Sequence, residues 1–304
     1  TRLVGSEMCI RDRIQTWWVV KWIPKEKFSK ESFRYLWNYG NKMIGASLID
    51  TLYNNVAPII VGKFYSPKDL GLYNRANGYA VLPNNQLTGV LLSVTFPVLS
   101  KMQNDVELLR QNVRRMIRVS AFISFPIYVI LCALAKPLVI ILISDRWEPC
   151  IKLLQILCFA IMWWPIHTIN RNLMQVIGRS DLYLKVEIAK KFFNLLVIAC
   201  ALSFGIEAFC YSQVFLSVVT LSFNTHYTKK LINFSLLQQL KDILPLFLTS
   251  MLTFLVVLIC IHFVDNLYIQ LLFGGLVGCV FYLGIAYLFK FEELKDIQYL
   301  LKRK

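Results

Sequence analysis

The chain has 304 residues, 57% of them hydrophobic and 14% aromatic, with a mean hydropathy of +0.54. Windows such as residues 119–143, 243–264 and 267–289 are apolar on every side, which excludes a soluble domain alternating core and solvent positions and places the chain in the membrane class. The net charge of +15 would suit nucleic acid, but the basic residues cluster between the apolar runs and no basic domain lies outside them, so nucleic-acid binding is excluded as well.

A bilayer core of about 30 Å is crossed by about 20 helical residues, and these runs have that length. A β-barrel would need strands of about 10 residues with alternating polarity, which the runs lack. The eight cysteines contain no CxxC and lie mostly inside apolar spans, where cysteine behaves as a small hydrophobe. His167, His226 and His262 are far apart. No disulfide framework, metal or cofactor is expected.

Residues 1–13 (TRLVGSEMCIRDR) fit neither a signal peptide nor the apolar pattern of the rest of the chain. The string VGSEMCIRD resembles translated adapter sequence, so this stretch is expected to be a sequencing artefact and the natural protein to be truncated at its start. Residues 14–32 read as the end of a truncated helix and then a basic cytoplasmic loop. Trp17, Trp18 and Trp22 suit a membrane–water interface, and Lys25, Lys27 and Lys30 come after them.

Eight spans are then expected, at residues 33–61, 75–99, 116–143, 151–177, 182–204, 206–224, 243–264 and 267–289. The first two are expected to fold back on each other through residues 62–76. The first carries Asn41, Lys42, Asp50, Asn54 and Asn55, and the second Asn77, Asn84, Asn85 and Gln86. Hydrocarbon offers these groups no partner, so such stripes face a bundle interior or a wet path. Prolines 58, 83, 97, 126, 137 and 165 read as ordinary kinks, whose freed carbonyls neighbouring helices or side chains satisfy.

Lys and Arg crowd one set of alternate connections, while the other set carries only Lys63, Lys68, Arg75, Lys136, Arg146 and Lys152. The bias places the long connection near residue 110 and the C-terminus in the cytoplasm. The outer connections are short, with no room for a soluble active site.

Four stretches in order, IIVGKFYSPKDLGLYNRAN (59–77), FPVLSKM (96–102), AKPLVIILISDRWEPCIKLLQIL (135–157) and NRNLMQVIGRSDLYLKVEIAKK (170–191), make the chain resemble bacterial polysaccharide exporters. These flippases of lipid-linked oligosaccharides are related in fold to multidrug and toxic-compound extrusion transporters. One position departs: where the family usually has a glycine before the acidic residue and Trp of the third outer loop, this chain has Ser144. The resemblance implies an all-α polytopic bundle from a fourteen-helix, two-lobed architecture. Residues 33–235 would be the second six-helix lobe, and residues 236–304 the final helix pair with a basic tail.

The implied activity is non-enzymatic flipping of polyprenyl-pyrophosphate glycan across the bacterial inner membrane by alternating access. Partners would be the lipid-linked substrate, membrane lipids and other polysaccharide-assembly membrane proteins. Rival readings are a peptidoglycan lipid-precursor flippase or drug exporter of the same fold, and an integral-membrane glycan polymerase or ligase. A diphosphate needs cations, and arginine offers a bidentate fork. Arg75 and Arg171, the latter with Asn170 beside it, are therefore candidates, against interfacial anchoring. Lys190 and Lys191 are candidates too, although Glu187 stands at ion-pair spacing. Asn54, Asn55 and Asn85 would suit sugar hydroxyls, or serve as interhelical glue. Asp50, in mid-span, must be protonated, paired or wet, and with Glu187 it is the candidate for ion coupling.

Overall fold

The computed structural model describes residues 28–103 and 105–295, and among them every regular element is helical. The readings for residues 1–27 and the last part of the basic tail lie outside the described residues. Helices satisfy their backbone polar groups within one segment, as hydrocarbon requires. The α-helices are α1 (Lys30–Phe64), α2 (Pro67–Lys101), α3 (Val106–Ala133), α4 (Ala135–Ile143), α5 (Glu148–Ile161), α6 (Trp164–Val176), α7 (Ser180–Ala201), α8 (Ile206–Ile232), α9 (Leu236–His262) and α10 (Leu267–Leu288).

With α3–α4 and α5–α6 each forming one broken passage, the described residues give the eight helical runs expected. Five segments are long and apolar enough to cross a bilayer: Val106–Ala133, Asp145–Val176, Ile206–Ile232, Leu236–His262 and Leu267–Leu288. α1, α2 and α7 have spanning length but carry polar groups in their middles: Lys42 and Asp50, the amides 84–86, and Glu187 with Lys190 and Lys191.

The described residues fall into two units, one up to Gly40 and one from Asn41. In the first, the rings of Phe28, Phe33 and Trp37 succeed one another at 5.5 and 5.9 Å between centroids.

In the second unit, local signals set the helix starts. Ser66 and Asp69 form a reciprocal capping box with Pro67 in the first turn of α2, and Ser235 with Gln238 repeats the device at α9. Asp105 and Asn266 accept from the first free N–H groups of α3 and α10. The sequence suggests α1 and α2 folded on each other. Near the turn between them Gly62 of α1 lies close to Leu70 of α2, where a Cβ would come within 3.1 Å, and further along Asp50 of α1 and Asn84 of α2 line one cavity. α1 also meets α7 and α6, with Ala46 buried against Met174, Tyr183 and Val186. An apolar run specifies that a face must be covered, not by which neighbour.

α3 is the pillar of this unit, in contact with α2, α5, α6, α9 and α10. Leu109, Val113, Ile117, Ala121, Phe125, Tyr128 and Cys132 recur at helical spacing and are all buried. Phe125 meets Trp163 and Phe247 at 5.2 and 5.9 Å between ring centroids. Pro126 has no N–H to give the carbonyl of Phe122, and the Tyr282 hydroxyl of α10 donates to that oxygen at 3.1 Å. The expectation that neighbours satisfy proline-freed carbonyls is met there in a single bond. α10 approaches closely because Gly274 and Gly278 present no side chain: a Cβ on Gly278 would lie 2.8 Å from Ile130 of α3.

At one end of the bundle the connections are tied by Lys152–Glu207 (2.5 Å), by the Tyr65 hydroxyl donating to the Leu202 carbonyl (2.9 Å), and by Arg75 over the Trp147 ring (5.6 Å). At the other, Arg114 grips Asp242 with two bonds of 2.6 Å, and Arg118 holds Glu292 and Glu293 at 3.0 and 2.5 Å.

Candidate functional site

A cavity of about 260 Å³ opens between α1, α2, α6, α7 and α8. α6 contributes Trp164, His167, Thr168 and Arg171; α7 contributes Glu187, Lys190, Lys191 and Asn194; α8 contributes Gln213, Leu216, Ser217 and Thr220. Each set occupies positions i, i+3, i+4 and i+7, one continuous helix face. α2 adds Asn84 and Thr88, one turn apart, and α1 adds Asp50.

Three cations face two carboxylates here. Lys190 Nζ lies 2.5 Å from Glu187 Oε1 with both side chains almost fully buried, and Arg171 Nη1 stands 3.9 Å from the same oxygen. Lys191 Nζ meets Asp50 Oδ1 at 2.6 Å. Buried charge is tolerated when it is paired, and the Lys190–Glu187 pair meets that condition at helical spacing. Asp50 is thereby paired, one of the three states its mid-span position requires. Arg171 differs. At 3.9 Å its contact with Glu187 is Coulombic only, and it makes no hydrogen bond among the described residues, while 29% of its side chain is exposed. Its guanidinium donors are available on the cavity wall.

Of the residues singled out from sequence, Asp50, Arg171, Glu187, Lys190 and Lys191 come together. Arg75, Asn55, Asn85 and Asn170 lie elsewhere. Arg75 is exposed at the Trp147 end of the bundle. Asn55 is exposed and donates to the Thr51 carbonyl at 2.7 Å. The side chain of Asn54 lies outside the described residues. Asn85 is exposed while its neighbour Asn84 is buried on the cavity and accepts from Thr88 at 3.1 Å. Consecutive helical residues point about 100° apart, so only one of the two amides can face inward.

Asn170 is fully buried in a closed network. It exchanges two bonds of 3.1 Å with Gln239 and accepts from the Thr228 hydroxyl at 2.8 Å, joining α6, α8 and α9. All its capacity serves packing. Sequence reasoning missed Thr88, His167, Asn194, Gln213 and Thr220. The shared i, i+3, i+4, i+7 spacing of polar residues on three successive helices was the signal that could have found them.

The polysaccharide biosynthesis protein family matches residues 9–152. The lipopolysaccharide biosynthesis protein WzxC of Escherichia coli is 27% identical over 169 residues, 56% of this chain and 34% of that protein. The teichuronic acid biosynthesis protein TuaB of Bacillus subtilis is 22% identical over 169 residues, 55% of this chain and 35% of that protein. The succinoglycan biosynthesis transport protein ExoT of Rhizobium meliloti is 24% identical over 129 residues, 42% of this chain and 26% of that protein. The matched segments thus span about a third of the length of the first two relatives. In structure, the chain is similar to the lipid II flippase MurJ in its inward closed conformation, with a TM-score of 0.64 at 18% identity over 90% of this chain and 58% of that one. The chain is a multi-pass membrane protein with a flippase-like helical fold, similar in sequence to bacterial polysaccharide biosynthesis and transport proteins.

Proposed function

We propose that the chain works in the bacterial inner membrane, C-terminus in the cytoplasm, as part of a flippase for lipid-linked oligosaccharides. It would move polyprenyl-pyrophosphate glycan units for O-antigen, capsule or exopolysaccharide assembly, and would be a transporter rather than an enzyme. The observation that carries this reading is Arg171, a cation on the wall of an intramembrane cavity with its hydrogen-bond donors unspent. Phosphate oxygens match its fork. Lys191 adds a second charge within reach of the same space, and the buried Lys190–Glu187 pair holds the α7 face in place. The names of the sequence relatives and the fold point the same way.

In this reading residues 33–235 act as one lobe of an alternating-access pair, and residues 236–304 brace it. Asp50 and Glu187 are the groups whose pairing an ion could exchange during the cycle.

The test is transbilayer movement of a fluorescent polyprenyl-pyrophosphate oligosaccharide in vesicles reconstituted with the complete two-lobed protein that contains this chain. Movement should exceed that in protein-free vesicles. Arg171→Ala should slow it by about tenfold or more at unchanged protein level, the loss of a charge-assisted bond worth about 1.5–3 kcal/mol. Arg171→Lys should restore only part, since a point charge replaces a bidentate fork. Movement of organic cations or of a peptidoglycan precursor, with none of the glycan lipid, would assign the cavity to another cargo. Chain-lengthened glycan products would identify an enzyme.

A further inference from the structure

His167 lies on the cavity face of α6, one turn before Arg171, and only 6% of it is exposed. Neither ring nitrogen has a hydrogen-bond partner among the described residues; the ring lies near the Ser217 backbone of α8, short of a well-formed bond. Buried polar groups almost always have partners, and an imidazole with both nitrogens unpaired is costly to keep inside a membrane bundle. Beyond that approach to Ser217, the described residues give this ring's donor and acceptor no partner. Asn194 and Gln213, half-buried on the α7 and α8 walls of the same cavity, likewise make no side-chain hydrogen bond among the described residues.

We infer that His167 is a contact for a sugar hydroxyl of the transported head group, with Asn194 and Gln213 as its companions and Arg171 as the neighbouring phosphate contact. This rests on the transport reading above. The chemistry separates the two parts of the cavity. A neutral imidazole offers one donor and one acceptor, and so does a hydroxyl, whereas ionised phosphate oxygens only accept. Arg171 and Lys191 supply fixed donors for phosphate. The neutral ring one turn away from Arg171, with amides across from it, supplies the mixed pattern that a sugar needs.

The experiment measures binding to the full chain in lipid nanodiscs. The two probes are a bare polyprenyl pyrophosphate and the same lipid carrying a single hexose. His167→Phe keeps a flat ring and removes both polar atoms. It should weaken the hexose-bearing lipid by roughly fivefold, the value of one hydrogen bond, and leave the bare lipid unchanged. Its melting temperature should hold or rise, because two unpaired buried atoms are gone. His167→Gln, which retains a donor and an acceptor, should recover most of the lost affinity and keeps the test open if the Phe variant folds poorly. Equal weakening of both lipids would make His167 a phosphate or general packing residue and overturn the inference. So would unchanged affinity for the hexose lipid, or a drop in melting temperature without selective loss. Wild-type chain that binds neither lipid would overturn the transport reading, and this inference with it. Wild-type chain that binds both, with no selective effect of His167→Phe, would overturn this inference alone.

Discussion

Asp50 and Lys191 join α1 to α7 through a contact of 2.6 Å, and both side chains keep partial exposure. Removing one charge leaves the other in a low-dielectric wall, while removing both leaves two neutral groups. Asp50→Asn and Lys191→Met should therefore each lower thermal stability more than their combination implies. A double-mutant cycle should give a coupling of about 1 kcal/mol, as for a partly solvated pair. Purely additive losses would mean the contact contributes nothing. Gradient dependence of transport in Asp50→Asn vesicles then reports on coupling separately from stability. A second residue-scale case is Ser144, with φ 101° and ψ 165°, a region essentially reserved for glycine. The departure noted in SDRW is thus a side chain placed on a backbone suited to glycine. Ser144→Gly should raise stability by about 1 kcal/mol, seen as a melting shift upward. An unchanged or lowered melting temperature would show the loop relaxed around serine.

Among elements, α10 is the one most dependent on small residues. Its Gly274 and Gly278 are a turn apart, and a Cβ on either would approach within 3 Å of side chains on α3 or α9 or, for Gly274, of Leu134 just beyond α3. Close approach of this kind is how membrane helices gain packing contact. Gly278→Val should cost about 1–3 kcal/mol by overpacking and lower the melting temperature in detergent. Gly284→Ala, where nothing lies within 4 Å of the added atom, should change little. Equal tolerance at both sites would dissociate α10 from this seam. At the same scale, sequence made the helices legible and their neighbours much less so. The apolar runs marked eight passages, and the Pro126 kink announced a need that Tyr282 fills. The seat of Ala46 against α6 and α7 was not legible, because chain adjacency and amphipathic pattern carry no record of which helix lies opposite. In the cavity, charged residues were legible because a charge in mid-span demands a reason. Neutral ones such as His167 and Gln213 were not, since their cost depends on whether a partner is present, and only three-dimensional neighbours decide that. Asn170 shows the converse: a polar residue beside a candidate cation whose hydrogen bonds the fold spends entirely on packing.

At the scale of the whole molecule, the two ends of the bundle carry different electrostatics. One end is tied by Lys152–Glu207 and by Arg75 over Trp147; the other by Arg114–Asp242 and the Arg118 pairs with Glu292 and Glu293. Both ends carry ties between opposite charges or between a cation and a ring, so these ties do not by themselves fix which end faces the cytoplasm. The proposed orientation rests instead on the excess of basic residues, because insertion retains Lys- and Arg-rich short loops on the cytoplasmic side. Ser66 and Asn266 cap helices at the end poor in basic residues, while Glu107 and Lys230 belong to the basic end; all four are exposed. Single cysteines introduced at these positions in a background lacking the native ones should sort cleanly. Positions 66 and 266 should react with an impermeant maleimide added to intact cells, and positions 107 and 230 only after permeabilisation. The pairs are separated along the chain by an odd number of passages, so the test reads orientation and passage count together. Labelling of position 107 from outside would invert the orientation. Labelling of 66 and 230 from the same side would break the count between them, and with it the assignment of α7 and α8 as separate crossings.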